Sequence, residues 1–255
     1  MNCILLPEAN FLHDTAQINA LSQINHVTDV LGAKVGESLK IGQLGGYLGT
    51  AIIDDITSER IQLRDVTLTT MPPPKLDLTV VLALPRPKVL RRLIMDMTAL
   101  GVRDIILINS YRTQKSYWQS PMLARLDEFV LEGLQQGVDT ITPRIDLQKR
   151  FKPFVEDDLA RLVTDRAVVA HPYASQSFAE YLKKQYLKKQ YLKKQYLQKQ
   201  STDTLPSLVC IGAEGGWIDY EIDLLAAQDC EAVHIGPRIL RTEAAVNALL
   251  GQWLL

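Results

Sequence analysis

The sequence predicts an α/β protein in which a small β-rich N-terminal domain precedes a parallel sheet covered by helices. Residues 1–70 contain short β segments separated by glycine turns, whereas residues 77–255 alternate apolar strand segments with segments that are apolar at helical spacing. Between the two patterns, residues 71–76 contain three consecutive prolines, which continue neither a helix nor a central strand. We therefore predict two domains joined by a proline-rich linker at residues 71–76.

The N-terminal β segments are short and are bounded by turn residues. Five glycines between positions 36 and 49 interrupt the segments, which favours a small barrel-like domain. The predicted strands cover residues 2–6, 38–41, 47–53 and 60–68.

The C-terminal segments alternate strand and helix, and most of the strands are apolar throughout. Apolar strands between helices indicate a parallel sheet with both faces covered. The predicted strands are residues 77–84, 104–108, 140–145, 166–170, 208–211 and 232–235. The predicted helices are residues 88–100, 124–136, 157–163, 219–228 and 241–254.

Composition excludes several classes of protein. No stretch of about 18 apolar residues suggests a membrane span, and the first twenty residues do not resemble a signal peptide, so we expect a cytoplasmic protein without membrane association. The three cysteines lack metal-ligand spacing, and we predict no metal site. They are Cys3, Cys210 and Cys230.

A basic repeat lies near residues 181–200. The pentapeptide Tyr-Leu-Lys-Lys-Gln occurs three times from Tyr181 and is followed by Tyr-Leu-Gln-Lys-Gln. Its seven lysines leave a net charge of −8 on the rest of a chain whose formal charge is −1. The repeat favours helix, but a period of five would place its tyrosines on every face. We interpret it as a surface insertion, either a solvated extension or an RNA-contacting arm.

Three loops that follow predicted strands contain the candidate chemistry. Residues 211–217 form a glycine-rich turn before a helix that Asp219 is expected to cap, residues 235–245 enter the last helix, and residues 170–173 contain His171. Glycines at such turns let the backbone approach a ligand, although a turn needed only for folding has the same composition. Loops at the carboxyl ends of parallel strands meet in one crevice.

The order and spacing of these loops resemble the ribosomal RNA small subunit methyltransferase E family of the SPOUT class. That family pairs Gly-Pro-Glu-Gly-Gly with a downstream Leu-Gly-x-Arg-Ile-Leu-Arg-x-Glu-Thr-Ala, after a strand ending in a His-Pro or similar turn. Here the two motifs are residues 212–216 and 235–245, with Ala213 and Ala244 replacing the proline and the threonine. Weaker similarity extends over nearly the whole chain.

The resemblance implies an N-terminal PUA-like β-barrel that binds RNA and a C-terminal SPOUT domain with a trefoil knot, forming a homodimer. It also implies S-adenosylmethionine as cofactor and methylation of uridine N3 in small-subunit (16S) ribosomal RNA. The implied cofactor-binding residues are Ala170, His171, Pro172, Gly212, Ala213, Glu214, Gly215, Gly216, Ile235, Gly236, Ile239, Leu240 and Arg241.

Two side chains are the catalytic candidates. The sulfonium methyl is already activated, so the protein mainly has to position an unpaired uracil and help N3 lose its proton. Arg241 would hold the developing negative charge, and Glu243 would orient Arg241 or accept the proton. The alternative is an Arg–Glu pair that only begins the last helix. For RNA binding we single out Arg86, Lys88, Arg91 and Arg112, for which a solvated surface is the alternative.

Several family residues are altered, which weakens the substrate assignment more than the cofactor assignment. Two N-terminal arginines are replaced by Asp29 and Gly32, Asp96 stands where the family has a lysine, and Asp139 stands where it has an arginine. Three alternatives therefore stay open: a methyltransferase for another RNA position or a ribose, a catalytically silent RNA-binding or cofactor-binding relative, and a nucleotide-binding protein. The last lacks both a Walker lysine and a Gly-x-Gly-x-x-Gly turn.

Overall fold

The computed structural model describes residues 2–163, 166–195 and 205–254. Its strands are β1 (Ile4–Leu6), β2 (Phe11–Leu12), β3 (Thr15–Ile18), β4 (Ser38–Gln43), β5 (Leu48–Ile56), β6 (Ile61–Thr70), β7 (Leu76–Ala83), β8 (Val102–Ile108), β9 (Arg144–Gln148), β10 (Ala167–Ala170), β11 (Leu208–Ile211) and β12 (Cys230–Val233). Its helices are α1 (Leu21–Asn25), α2 (Pro87–Ala99), α3 (Leu126–Gly137), α4 (Phe151–Pro153), α5 (Ala160–Leu162), α6 (Phe178–Gln195), α7 (Asp219–Ala226) and α8 (Thr242–Leu250).

The chain forms two compact units. The first comprises Met1–Lys75, Ile94–Gly101 and Arg125–Pro143, and the second comprises Leu76–Leu93, Val102–Ala124 and Arg144–Leu255. The division of the sequence at residues 71–76 stays a prediction about domains. No described helix is long and apolar enough to cross a membrane.

The first unit contains a curled mixed sheet of six strands in the order β1-β4-β5-β6-β3-β2. Only β1 and β4 pair in parallel, and the other neighbours are antiparallel. Alternation along β3 and β5 sends one set of side chains into an aliphatic core that includes Ile18, Ile53 and Leu63. The sequence analysis left β2, β3 and α1 unassigned.

Asp139, which stands where the resembling family has an arginine, is buried in the first unit. Its carboxylate lies 2.7 Å from the Lys75 ammonium, and both side chains are largely buried. Nearby, buried Gln135 accepts a hydrogen bond from the side chain of Gln23, which also donates to the carbonyl of Leu5. Because a buried charge needs a partner, the acid at position 139 fits the interior ion pair with Lys75.

The second unit contains a six-stranded sheet in the order β12-β10-β11-β7-β8-β9, in which every neighbouring pair is parallel. The buried runs along β7, β8, β10 and β11 are almost continuous, as expected for strands covered on both faces. The predicted α/β class with a parallel sheet is therefore confirmed. The trefoil knot stays a prediction.

One strand and one helix differ informatively from their predictions. The strand predicted at residues 140–145 is β9, which begins only after Pro143. Proline has no N–H for the strand ladder, and the side chain of Asp139 accepts a hydrogen bond from the amide of Ile141 at 2.9 Å.

The repeat, predicted as a surface insertion, belongs in part to α6, and its first tyrosine, Tyr181, is buried. Ser177 and Glu180 begin α6 with reciprocal capping hydrogen bonds. Residues 196–200 of the repeat lie outside the described residues.

Candidate functional site

Three neighbouring strands end at the same level of the parallel sheet. Ala170, the last residue of β10, is in register with Ile211 at the end of β11 and with Val233 at the end of β12. Because all three strands are parallel, the loops that leave them emerge side by side at the carboxyl edge. Crevices at this edge are the usual ligand sites of open parallel sheets.

The three loops enclose a cleft, here called the loop cleft, with about 200 Å³ of water-accessible space. Its walls combine bare glycine backbone with aliphatic and aromatic side chains and few charges. The lining residues are Arg112, Ala170, His171, Pro172, Tyr173, Ile211, Gly212, Ala213, Glu214, Gly215, Gly216, Trp217, Val233, His234, Ile235, Gly236, Arg238, Ile239, Leu240, Thr242 and Ala245.

The loop after β11 folds into a tight turn that requires glycine. Gly216 has φ +68° and donates its N–H to the carbonyl of Ala213 at 2.8 Å. A Cβ at Gly212 would lie 3.0 Å from the Cα of Gly216, so the two ends of the turn touch. Only residues without a side chain allow this close return of the backbone.

Two arginines from neighbouring loops donate hydrogen bonds to this turn. Arg86, after β7, donates from its backbone N–H and its Nε to Oε1 of Glu214, at 3.2 and 3.1 Å. Arg112, after β8, donates from its guanidinium to the carbonyl of Gly215. A Cβ at Gly215 would lie 2.9 Å from the Cβ of Arg112. Both arginines, singled out for RNA contact, therefore also fix the shape of the glycine turn.

Glu221 is a buried carboxylate beside the turn that sequence reasoning missed. It accepts the backbone N–H of Tyr111 at 2.7 Å and that of Ile218 at 3.0 Å, and it is 2% exposed. Ile218 immediately precedes α7, so Glu221 satisfies one free amide at the start of that helix. The same side chain thus joins the loop after β8 to the end of the glycine turn.

The loop after β10 is joined to the end of β12 by a backbone hydrogen bond, and a second hydrogen bond lies within the loop after β12. The N–H of His171 donates to the carbonyl of Val233 at 2.9 Å, and the N–H of Gly236 donates to Nδ1 of His234 at 3.1 Å. Gly236 has φ +142°, which glycine adopts without strain. Burial lowers the pKa of His171, with Asp219 acting weakly in the opposite direction, so the neutral imidazole is favoured.

The segment that leads into α8 contributes residues to the cleft wall, but the two predicted catalytic residues are not among them. Ile239 and Leu240 line the cleft. The hydroxyl of Thr242 donates a hydrogen bond to the carbonyl of Gly212 at 3.4 Å. Arg241 is exposed at the N-cap of α8, and Glu243 is half-buried in its first turn. Neither of these two residues lines the cleft.

The structure brings together every predicted cofactor-site residue except Arg241. Arg112 is the one member of the predicted RNA-binding set on the cleft wall, whereas Lys88 and Arg91 are exposed on α2. Several lining residues were not among the predicted cofactor-binding residues, although all but Val233 and His234 lie within the three candidate loops. Val233 ends β12 and His234 follows it, where the strand had been predicted two positions too far along the chain. The missed lining residues are Tyr173, Ile211, Trp217, Val233, His234, Arg238, Thr242 and Ala245.

A second cavity, of about 780 Å³, lies towards the amino ends of the strands. Asp104 on its wall is paired with Arg103 and with Arg144, at 2.7 and 2.6 Å. Burial alone would raise the pKa of Asp104, but hydrogen bonds from the two arginines outweigh burial and lower it. The cluster therefore remains ionised and joins β8 to β9.

Among the described residues, no group of three or more His, Cys, Asp or Glu side chains is placed to hold a metal ion.

The fold and the loop cleft define an α/β protein with a ligand crevice at the carboxyl edge of a parallel sheet. A family model described as the RNA methyltransferase domain matches residues 72–254, which include the whole cleft. The chain therefore belongs to the RNA methyltransferase domain family.

Two curated relatives have the same name, ribosomal RNA small subunit methyltransferase E. The one from Treponema pallidum is 25% identical over 97% of this chain and 88% of its own length. The one from Synechocystis is 26% identical over 91% of this chain and 70% of its own length. The resemblance inferred from the loop motifs is confirmed by these similarities.

Solved structures share the fold over almost the whole chain. A methyltransferase from Legionella pneumophila, solved with its cofactor SAM, is 18% identical with a TM-score of 0.72, covering 99% of this chain and 96% of its own. A ribosomal RNA small subunit methyltransferase E from Neisseria gonorrhoeae, bound to S-adenosyl methionine, is 18% identical with a TM-score of 0.69, covering 99% and 96%.

Proposed function

We propose that this chain transfers a methyl group from S-adenosylmethionine to N3 of a uridine in small-subunit ribosomal RNA. The observation that carries the proposal is the loop cleft itself, formed where β10, β11 and β12 end in register. The names of the Treponema and Synechocystis relatives support the RNA, and the cofactor bound in the Legionella and Neisseria structures supports the methyl donor.

The residues of the cleft fit such a donor. A Cβ added at Gly216 or at Gly236 would meet no atom within 4 Å, so bare backbone faces open space at both positions. Ile211, Val233 and Leu240 add apolar wall for an adenine ring, while the peptide groups of the loops are polar partners for its edge. When bound, S-adenosylmethionine supplies a methyl group already activated by its sulfonium.

The protein's own contribution is to position the base and exclude water. N3 lies on the pairing edge of uracil, so the target nucleotide has to be unpaired or flipped before it approaches the cleft. His171, neutral because burial lowers its pKa, adds no positive charge that would compete with the donor. In-line positioning of two reactants accounts for much of the rate in such a transfer.

Arg241 and Glu243 are the residues we propose for charge and proton transfer. Both follow Leu240, a cleft residue, within three positions, and the N-terminus of α8 adds a partial positive charge beside them. Arg241 would stabilise the negative charge that develops on the uracil oxygens as N3 loses its proton. Glu243 would orient Arg241 or accept that proton.

The remaining roles extend the same proposal. We propose that the β-rich N-terminal domain, residues 1–70, binds RNA as a PUA-like barrel, with residues 77–255 forming the knotted methyltransferase domain of a cytoplasmic homodimer. Lys88 and Arg91, exposed on α2, would contact phosphates together with Arg86 and Arg112.

Nucleoside mass spectrometry of small-subunit ribosomal RNA tests the proposal. Cells lacking the gene should lose 3-methyluridine, and wild type should restore it, whereas Arg241→Ala should not. Arg161→Ala is the matched control, because Arg161 is exposed beside the second cavity. Unchanged 3-methyluridine in the deletion strain would contradict the assignment. Calorimetric binding of S-adenosylmethionine without any methylated nucleoside would favour the catalytically silent alternative.

A further inference from the structure

We propose that the solvent-exposed part of α6 is a contact surface for the RNA backbone, with Lys183, Tyr186 and Lys188 as its contact residues. This proposal rests on the function proposed above, since it names where part of the RNA substrate lies. It concerns the described first part of the basic repeat, which the methyl-transfer chemistry leaves without a role.

The five-residue period explains why one repeat is buried and the next is exposed. An α-helix turns about 100° per residue, so five residues advance each equivalent position by about 140°. Tyr181 is 1% exposed and stacks on Phe178 with ring centroids 6.0 Å apart, whereas Tyr186 is 52% exposed. Tyr181 therefore anchors the helix, whereas Lys183, Tyr186 and Lys188 are exposed in different directions around it.

Hydrogen bonds fix α6 against the edge strand β12. Glu231 on β12 accepts from Lys184 at 3.2 Å and from Gln176 at 3.1 Å. At the start of the helix, the N–H of Phe178 donates to the carbonyl of His234 at 2.8 Å, and His234 lines the loop cleft. The helix therefore begins beside His234, a residue of the cleft wall.

Charge favours RNA as the partner of this surface. Lys183 and Lys188 are exposed, and neither has an ion-pair partner among the described residues. The chain outside the repeat has a net charge of −8, whereas the repeat has seven lysines and no acid, so the repeat is a local region of positive charge for a polyanion. The hydroxyl of Tyr186 accepts from Gln190 at 2.6 Å, which steadies the ring as a stacking partner for a base.

A paired charge removal tests the surface. The variant Lys183→Gln/Lys188→Gln is compared with Lys149→Gln/Lys152→Gln, which removes the same charge near β9 at the opposite edge of the sheet. The probe is deproteinised small-subunit ribosomal RNA from cells lacking this gene, titrated between about 50 and 200 mM salt. A single-strand contact contributes about 0.7 to the salt slope, so the α6 variant should bind about 25-fold more weakly near 0.1 M salt, with a slope shallower by about 1.4.

The outcomes separate the surface from the proposed function. A Tyr186→Ala variant should also weaken binding, and Tyr186→Phe should restore it because the ring is kept. An unchanged salt slope in the α6 variant, or an equal loss in the control, would overturn the proposal. A defect on intact small subunits with normal binding to free RNA would also overturn it, in favour of a protein contact. If wild type binds the RNA through α6 but forms no 3-methyluridine, the methyl-transfer assignment fails and the α6 surface stands.

Discussion

Replacing Glu221 should loosen the candidate site from inside the protein. The carboxylate of Glu221 is 2% exposed and accepts two backbone N–H groups, those of Tyr111 and Ile218. Glu221→Gln keeps one oxygen but turns an NH₂ group towards the second amide. Glu221→Ala leaves both amides buried without an acceptor.

The expected magnitude follows from those two hydrogen bonds. A hydrogen bond to a charged group contributes about 1.5–3 kcal/mol, so Glu221→Gln should lower the free energy of unfolding by about that amount. Glu221→Ala should lower it by about twice as much, because both donors lose their partner. Affinity for S-adenosylmethionine should fall as well, since the glycine turn loses its link to the loop after β8.

Urea unfolding and calorimetric titration with S-adenosylmethionine measure the two effects. Asp223→Asn is the matched control, because Asp223 is an exposed acid on the same helix and its carboxylate accepts no hydrogen bond from the described residues. Its effect should stay within about 0.5 kcal/mol. If Glu221→Gln is as stable as the control and binds the donor normally, the role assigned to Glu221 is refuted.

Two further predictions concern packing and pH. Gly133→Ala should cost about 1–3 kcal/mol, because its Cβ would lie 2.6 Å from the carbonyl oxygen of Met95. Gly251→Ala, whose Cβ meets no atom within 4 Å, should melt like wild type, and equal melting of both variants would contradict the packing argument. Burial lowers the pKa of His171 from 6.5, so the unfolded chain binds a proton more readily and stability should fall as pH drops below about 6.5. His171→Gln should lose this part of the pH dependence in urea unfolding, and an identical dependence in both proteins would argue against it.

Local sequence patterns were sufficient to predict the parallel sheet and the position of the candidate site. Apolar runs such as Leu208–Ile211 are long enough for a buried strand, and parallel strands leave their following loops at one edge whatever the details of packing. The glycine turn was also predictable from local sequence, because the positive φ of Gly216 and its close return to Gly212 require glycines that lie within that loop.

Only the tertiary structure decided which side chains face the cleft, the core or solvent. Asp139 looked like a lost surface charge until its burial against Lys75 was known, and Arg241 belongs to a lining motif but stands outside the cleft wall. Tyr181 and Tyr186 occupy equivalent positions of one repeat, yet the first is buried and the second is exposed. Partners distant in sequence decide burial, and a motif or a repeat records only neighbours along the chain. The hydrogen bonds of Glu221 to the loop after β8 depend on the same long-range packing, which is why sequence reasoning missed that residue.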